Sequence, residues 1–546
     1  MITFSASLTP PPSPLPVQSP SCTDEQLAAI NWTHQSTGNL ILEAVAGSGK
    51  TYTIIEMCVA IVLEAIKRGI SPRKLIALMS FNAKVRDELK ARIMALGLGQ
   101  WVEVNTVHGF GFSAFKSAHG PRKPNSYKLN DLLDPILKSH RLNWSFSKPI
   151  CQAVAIAKDT GMGLFFTNCT AEWKKLIDYH DISWDEDKLP FGAFINLAAD
   201  LFRLSSENTD KIDFSDMIWF PLVENLPFPQ FDFVFIDEAQ DTNATRREVA
   251  RRMLKQQLYP ENHGMIHDTP LTVGRLIAVG DRHQAIYGFT GADNDALDIL
   301  KREFHAAELP LSVCFRCSKA VIAHARKIVS HIHPKVGAIE GEVNLDMPEY
   351  NFHENLFSTG LGYDMQHSAI LCRKNAPLIS LAFQLLSKQI PCRIEGKDIG
   401  ADLIRLCKKH SEATDTKQQL AINLTAHLRE QAAKLSPWKY DVLQDKIAAI
   451  STVIQLPFIT SITQLFKQIE TLFSDYDPTK PSKLTLSSVH KSKGLEWPTV
   501  YLLGRNAYMP SKFATQPWME EQEQNLIYVA ITRAKETLYE ITVEEE

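Results

Sequence analysis

The sequence predicts an α/β protein of two parallel-sheet domains forming a cleft, each domain interrupted by a helical insertion. Three observations carry that prediction. Short apolar runs alternate with helical patterns in both halves of the chain, the signature of a parallel sheet. One such run, NLILEAVA from Asn39, leads directly into a loop with two closely spaced glycines. Another, FDFVFIDEA, ends on a pair of carboxylates. Ligands of parallel sheets sit at the carboxyl ends of the strands, where these residues lie.

Composition bounds the possibilities. At 546 residues, with 45% hydrophobic residues, the chain suits three or four domains and a sizeable core. The net charge of −4 gives no global basic signature. A nucleic-acid partner would therefore be held by a local groove, and an ordinary soluble enzyme fits the charge equally well. Nine cysteines are scattered without a disulfide-dense pattern, which predicts a reducing, cytoplasmic setting. The one close pair, Cys314 and Cys317 in CFRC, has no second CxxC or HxxxH nearby to complete a four-ligand zinc site. The N-terminus lacks the basic start and long apolar core of a signal peptide. Its Pro/Ser-rich stretch SLTPPPSPLPVQSPS is expected to be disordered over residues 1–22. No apolar run reaches the roughly 18 residues of a membrane span, and no repeat of fixed period is present.

The elements follow in order. NLILEAVA reads as a strand and TYTIIEMCVAIVLEAIKRG as a helix. KLIALMSF is a strand and AKVRDELKARIMALG a helix. FDFVFIDEA and RLIAVGD are further strands. The pattern stops between residues 111 and 211, a stretch that reads as helical. It returns with a short strand from Leu309 to Phe315, then the helix SKAVIAHARKIVSHI, the strand SAILCRKN and the helix APLISLAFQLLSKQI. A second helical stretch covers 399–476. The strands KLTLSSVH and TVYLLG, the helix NLIYVAITRAKE and the strand TLYEITV close the chain. The expected division is thus a first α/β domain over 23–110 and 212–305 with its insert at 111–211. A second spans 306–398 and 477–546, with a shorter insert at 399–476.

The stretch AVAGSGKT fits a phosphate loop, with Ala44 where a glycine is usual. Gly47 and Gly49 let backbone N–H groups turn inward, and Lys50 adds a point charge at the β/γ-phosphates. The Thr51 hydroxyl can ligate magnesium, and the following helix adds its N-terminus. Of the acidic pair Asp237 and Glu238, one carboxylate can hold Mg2+ and its neighbour can orient and deprotonate an attacking water. In IAVGDRHQAIYGFTGA, Gln284 follows a strand end and can sense a γ-phosphate. Tyr287 and Phe289 beside it read either as core or as flat faces on which bases stack.

Taken in order, these segments resemble the UvrD/Rep type of superfamily 1 DNA helicases, and a compact member of it. The resemblance implies two RecA-like domains around one MgATP. It implies an upstream glutamine motif in TDEQLAAI, with Gln26 reading adenine, and an ATP loop of Ala46, Gly47, Ser48, Gly49, Lys50, Thr51 and Tyr52. It sets Phe81 and Asn82 of SFNAKVRDEL against single-stranded DNA and His108 of NTVHGF near its backbone. CFRC supplies Phe315, a nucleotide-facing aromatic, and Arg316, an arginine on the γ-phosphate. In SSVHKSKGLEWPTVYLLG, His490 and Lys491 would contact the strand and Glu496 the ribose. In NLIYVAITRAKETLYE, Arg533 would reach the γ-phosphate. Thr290 departs from the family, which often carries arginine there.

The expected activity is ATP-dependent translocation on single-stranded DNA, 3′ to 5′ by resemblance, with duplex unwinding. The catalytic set would be Lys50, Asp237, Glu238, Gln284, Arg316 and Arg533. DNA stacks on Phe81, Tyr287 and Phe289. Expected partners are single-stranded and duplex DNA and replication or repair proteins, without membrane. The alternatives are a translocase that strips proteins from single strands, a non-motor ATP-binding protein and an RNA helicase.

Overall fold

The computed structural model describes residues 22–544 except 256–273, 289–292, 294, 359–366, 389, 391, 413–414, 433, 436, 474–483, 513 and 515. The expected disordered tail, save Cys22, and the stacking residue Phe289 with Thr290 lie outside the described residues.

Two six-stranded sheets organise the chain. The first contains β1 (Leu40–Ala44), β2 (Ile76–Ser80), β3 (Val102–Thr106), β4 (Phe233–Asp237), β5 (Arg275–Gly280) and β6 (Ala307–Leu311). Their order is β3-β2-β4-β5-β1-β6, and every pairing is parallel. A two-residue ladder follows, β7 (Val313–Cys314) with β8 (His333–Pro334). The second sheet contains β9 (Glu342–Pro348), β10 (Ser368–Cys372), β11 (Cys392–Ile394), β12 (Leu484–Ser488), β13 (Trp497–Leu503) and β14 (Ala534–Thr542). Its order is β11-β12-β10-β13-β14-β9, again parallel.

Both sheets are covered on both faces, which is why their strands read as unbroken apolar runs. Leu40 and Leu42 pack on one side with Ile54, Met57, Cys58 and Ile61 of the helix Lys50–Lys67. The alternate residue Ile41 packs on the other side with Ala77, Met79, Val234 and Ile236. In the second sheet Ala369 and Leu371 face one core, Ile370 and Cys372 another.

The two helical stretches are built differently. The helices Lys128–Ser139, Ser147–Thr160, Thr170–Tyr179 and Phe191–Glu207 share a core of their own around Leu133, Ile150, Trp173 and Phe194. A buried ionic hub fastens them: Lys128 and Lys158 donate to the two oxygens of Asp216 at 2.7 and 2.6 Å. The helices between Lys397 and Leu472 have no separate core, because Leu420, Ile450 and Leu465 join the cluster that contains β10, β11 and β12.

Some expectations require correction. The strand placed at the start of the second domain, β6, is the edge of the first sheet, with Leu40 opposite Ala307. Local pattern identifies a strand but not its sheet. β3, β9 and β11 were not anticipated. The first two are edge strands with polar residues (VEVNT and EVNLDMP), and β11 has only three residues. The helix SKAVIAHARKIVSHI is shorter than its apolar pattern, ending at Ala325.

Candidate nucleotide cleft and nucleic-acid interface

The phosphate loop leaves β1 and turns at Gly47 and Gly49, whose φ angles of 69° and 78° lie in the left-handed region that glycine tolerates. No side chain caps the helix that starts at Lys50, so its first N–H groups face the loop's concavity. The second lobe closes over this loop. Phe315 N–H donates to the Gly47 carbonyl at 2.8 Å, and a Cβ on Gly47 would stand 2.7 Å from Arg316 Cβ. Ala46 N–H donates to the Tyr528 hydroxyl at 3.0 Å. Val45, Ala46 and Ile286 of the first lobe belong to the same buried cluster as Val321 and Leu526 of the second.

Lys50 Nζ donates to Glu238 Oε2 at 3.1 Å. Asp237 and Glu238 stand at the end of β4, and Glu238 holds a φ of 52°, unusual for a residue with a side chain. Their protonation is split. Burial and the adjacent Glu238 push Asp237 up to about 7. Burial opposes Glu238 too, but Lys50 and Lys493 outweigh it and hold that carboxyl at about 2. Burial raises Asp281 to about 6. Environments that drive neighbouring carboxyls apart in this way assign different roles to them. The donor set suits MgATP. Cationic Lys50 and the open helix N-terminus match phosphate, Thr51 and Asp237 offer oxygen to Mg2+, and the buried Ser48 hydroxyl has no protein partner.

The other expected nucleotide residues surround the loop but are engaged with protein. Gln26 accepts from Thr23 N–H at 3.0 Å and donates to the Ser48 carbonyl at 3.4 Å, so both ends of its amide are used. The Tyr52 hydroxyl lies 3.4 Å from Cys22 Sγ. The Phe315 ring comes within 3.9 Å of where a Gly49 Cβ would be. Gln284 donates to Asp281 Oδ2 at 2.6 Å. Arg316 pairs with Glu496 and donates to the Thr532 carbonyl at 3.2 Å, and Glu496 also pairs with Lys535 at 2.8 Å. Arg533 is buried and donates to the Val529 and Leu495 carbonyls, each at 3.0 Å. Burial and neighbouring Arg316 lower it to about 9.

The expected DNA residues divide. Phe81 and Tyr287 stack on each other, with centroids 5.7 Å apart and planes 11° apart. Arg246 lies over the Phe81 ring and Lys493 over the Tyr287 ring, at 5.6 and 4.8 Å. An intercalated base needs roughly 7 Å, twice the ~3.4 Å rise per base, so the rings must part to admit one. Phe81, His108, Asp237, Glu238, Asp241 and Arg246 line one pocket. Burial and Arg246 hold His108 at about 4, so it is neutral near pH 7. Asn82 spends its side-chain oxygen on the Val85 N–H at 2.9 Å, capping the helix Ala83–Ala95. His490 is kept neutral chiefly by burial, then by Arg373.

Lys491, expected against the strand, is exposed, and Lys493, two residues on, is drawn into the cleft. Lys493 Nζ donates to Asp241 Oδ2 at 2.6 Å and to the Gln284 carbonyl at 2.7 Å. It is thus a second-lobe cation joining the end of the acidic strand to the sensor loop. Sequence reasoning also missed Tyr528, Asp281 and Arg246. Lys493 and Tyr528 stand inside the quoted segments HKSKGLEW and NLIYVAITRAKE, but nothing in a linear pattern says which side chain turns inward.

These features define a two-lobed phosphate-loop protein whose nucleotide cleft adjoins an aromatic, cationic surface. Comparison with known proteins agrees. The UvrD/REP helicase N-terminal domain matches residues 22–305, more than half of the chain, and the UvrD-like helicase C-terminal domain matches 407–545. The chain belongs to the UvrD/REP helicase family. Among its relatives is a probable DNA helicase II homolog of Mycoplasma pneumoniae, 22% identical over 95% of this chain and 83% of the relative. The ATP-dependent DNA helicase PcrA of Bacillus subtilis is 22% identical over 92% and 80%. The F-box DNA helicase protein 1 of Schizosaccharomyces pombe is 24% identical over 57% of this chain and 34% of its own length.

Proposed function

We propose that this chain is an ATP-dependent DNA helicase that moves along single-stranded DNA, 3′ to 5′, and unwinds duplex ahead of it. The observation that carries the reading is Lys493. It donates to Asp241 and the Gln284 carbonyl while lying over Tyr287, so one second-lobe cation touches both the nucleotide side and the stacked rings.

The proposed roles follow from the side chains. Lys50 and the helix N-terminus bind the β/γ-phosphates. Thr51 and Asp237 hold Mg2+, which neutralises phosphate charge when bound. Glu238, anionic throughout the working range, orients and deprotonates the attacking water. Arg316 and Arg533 give up partners in their own lobe to stabilise charge on the transferring group. Phe81 and Tyr287 part to stack bases, and His108 meets the strand as a neutral donor. Each lobe, with its helical stretch, moves as a unit. Among the described residues no helix is long and apolar enough to cross a membrane, and all nine cysteines are free thiols. These are in keeping with the proposed cytoplasmic, nucleoid-associated setting.

ATPase and strand separation on 3′-tailed, 5′-tailed and blunt duplexes test the reading. Unwinding of the 3′-tailed substrate alone is expected. Protein displacement without strand separation would favour a single-strand translocase. ATP turnover indifferent to DNA would remove the motor reading.

A further inference from the structure

We propose that Glu43, His283 and His331 form a site for a divalent transition-metal ion of the zinc class, which staples the two lobes together beside the phosphate loop. Their ligand atoms all lie within 4.8 Å of one another. Among the described residues this is the one such group of three. Glu43 is the penultimate residue of β1, and His283 sits in the single turn Arg282–Gln284, both in the first lobe. His331 follows the helix Lys319–Ala325 of the second lobe. Two imidazoles and a carboxylate are the donors of three-ligand zinc sites, whereas Mg2+ and Ca2+ select oxygen alone.

The surroundings orient these ligands as metal sites require. Arg282 grips both oxygens of Glu43, with Nη2 on Oε2 at 2.8 Å, and the same arginine pairs with Asp298 and Glu308, so its charge is shared among three acids. Beside His283, Asn525 Nδ2 of the second lobe donates to the Ala285 carbonyl at 3.0 Å. His283 also meets the Tyr528 ring edge-on at 6.1 Å, and the Tyr528 hydroxyl accepts from Ala46 of the phosphate loop. Because the third ligand belongs to the other lobe, the ion binds the closed arrangement and opposes opening. Zinc is then an inhibitor of any cycle that must open the cleft.

The binding arm of the test uses the metal-free full chain without ATP or DNA, so it stands apart from the proposed activity. Co2+, as a spectroscopic substitute for zinc, is titrated against wild type, His331→Asn and His283→Gln. One equivalent should bind with visible ligand-field bands and no thiolate charge-transfer band, and Zn2+ should displace it. Each variant should lose affinity more than roughly tenfold. His331 is exposed, so in a second arm run with MgATP His331→Asn should keep its circular dichroism and its zinc-free turnover while resisting zinc inhibition. Absence of binding overturns the proposal. So does a thiolate band unchanged in both variants, which would put the metal on Cys314 and Cys317. Zinc inhibition equal in wild type and His331→Asn also overturns the stapling role.

Discussion

The two walls of the cleft are prepared in different ways. On the first lobe, Lys50, Asp237, Glu238 and Asp281 form one buried electrostatic set. Their mutual attraction and repulsion separate the two acid positions before any ligand arrives. On the second lobe, Arg316 and Arg533 are satisfied internally, by Glu496 and by the carbonyls of Thr532, Val529 and Leu495. The first wall is a preorganised receptor, and the second holds its cations in hydrogen bonds that must be exchanged. In the proposed cycle, a phosphate that recruits those arginines disturbs the second lobe and so would link chemistry to movement.

Mutations sharpen that contrast. Lys50→Ala should have the largest effect, because it removes the phosphate's counter-charge and leaves the buried carboxyls of Asp237 and Asp281 without their cation. Steady-state phosphate release should fall at least roughly 10³-fold and nucleotide binding should be lost, with circular dichroism unchanged. On the opposite wall, Arg533→Ala should also lower turnover by about 10³-fold, yet retain ATP binding, since this side chain starts from partners in its own lobe. Equal loss of binding in both variants would erase the distinction between the walls. Glu238→Gln should keep ATP bound while slowing turnover by about 10²–10⁴-fold, measured by equilibrium binding beside single-turnover hydrolysis.

Smaller effects probe the linkage. Tyr287→Ala should weaken single-stranded DNA binding by about 1–3 kcal/mol, read by fluorescence anisotropy, and reduce DNA-stimulated turnover more than basal turnover. Mg2+ affinity should depend on pH with a definite sign. Asp237 carries a proton below about 7 in the free protein, and that proton must leave when the carboxylate takes the ion. Affinity should thus fall up to roughly tenfold per pH unit below about 7 and level off above it. In Glu238→Gln the like charge is gone, so the inflection should move to lower pH.

Much of this was legible in the residues. β1, β2, β4 and β5 are continuous apolar runs because both faces of their sheet are buried, and the phosphate loop and acidic pair follow two of them directly. Less visible were the edge strands, whose polar residues mask their pairing. β6 was assigned to the wrong sheet because a short strand after a helix can join either neighbour. Lys493 does not stand out in the sequence for a similar reason: lysines two residues apart look alike until the turn draws one of them into the cleft.

What the sequence determined by itself was the class of chemistry, because spacing along a strand-loop-helix fixes which donors can meet a phosphate. It also determined the family, through motifs kept in order over both halves. Only the tertiary structure decided which groups are satisfied and by whom. Lys493 over Tyr287, Tyr528 on the Ala46 amide and His331 facing Glu43 and His283 all join residues far apart in the chain. Such pairings depend on how two separately built sheets dock, and that is set by the shapes of their buried faces rather than by any local pattern.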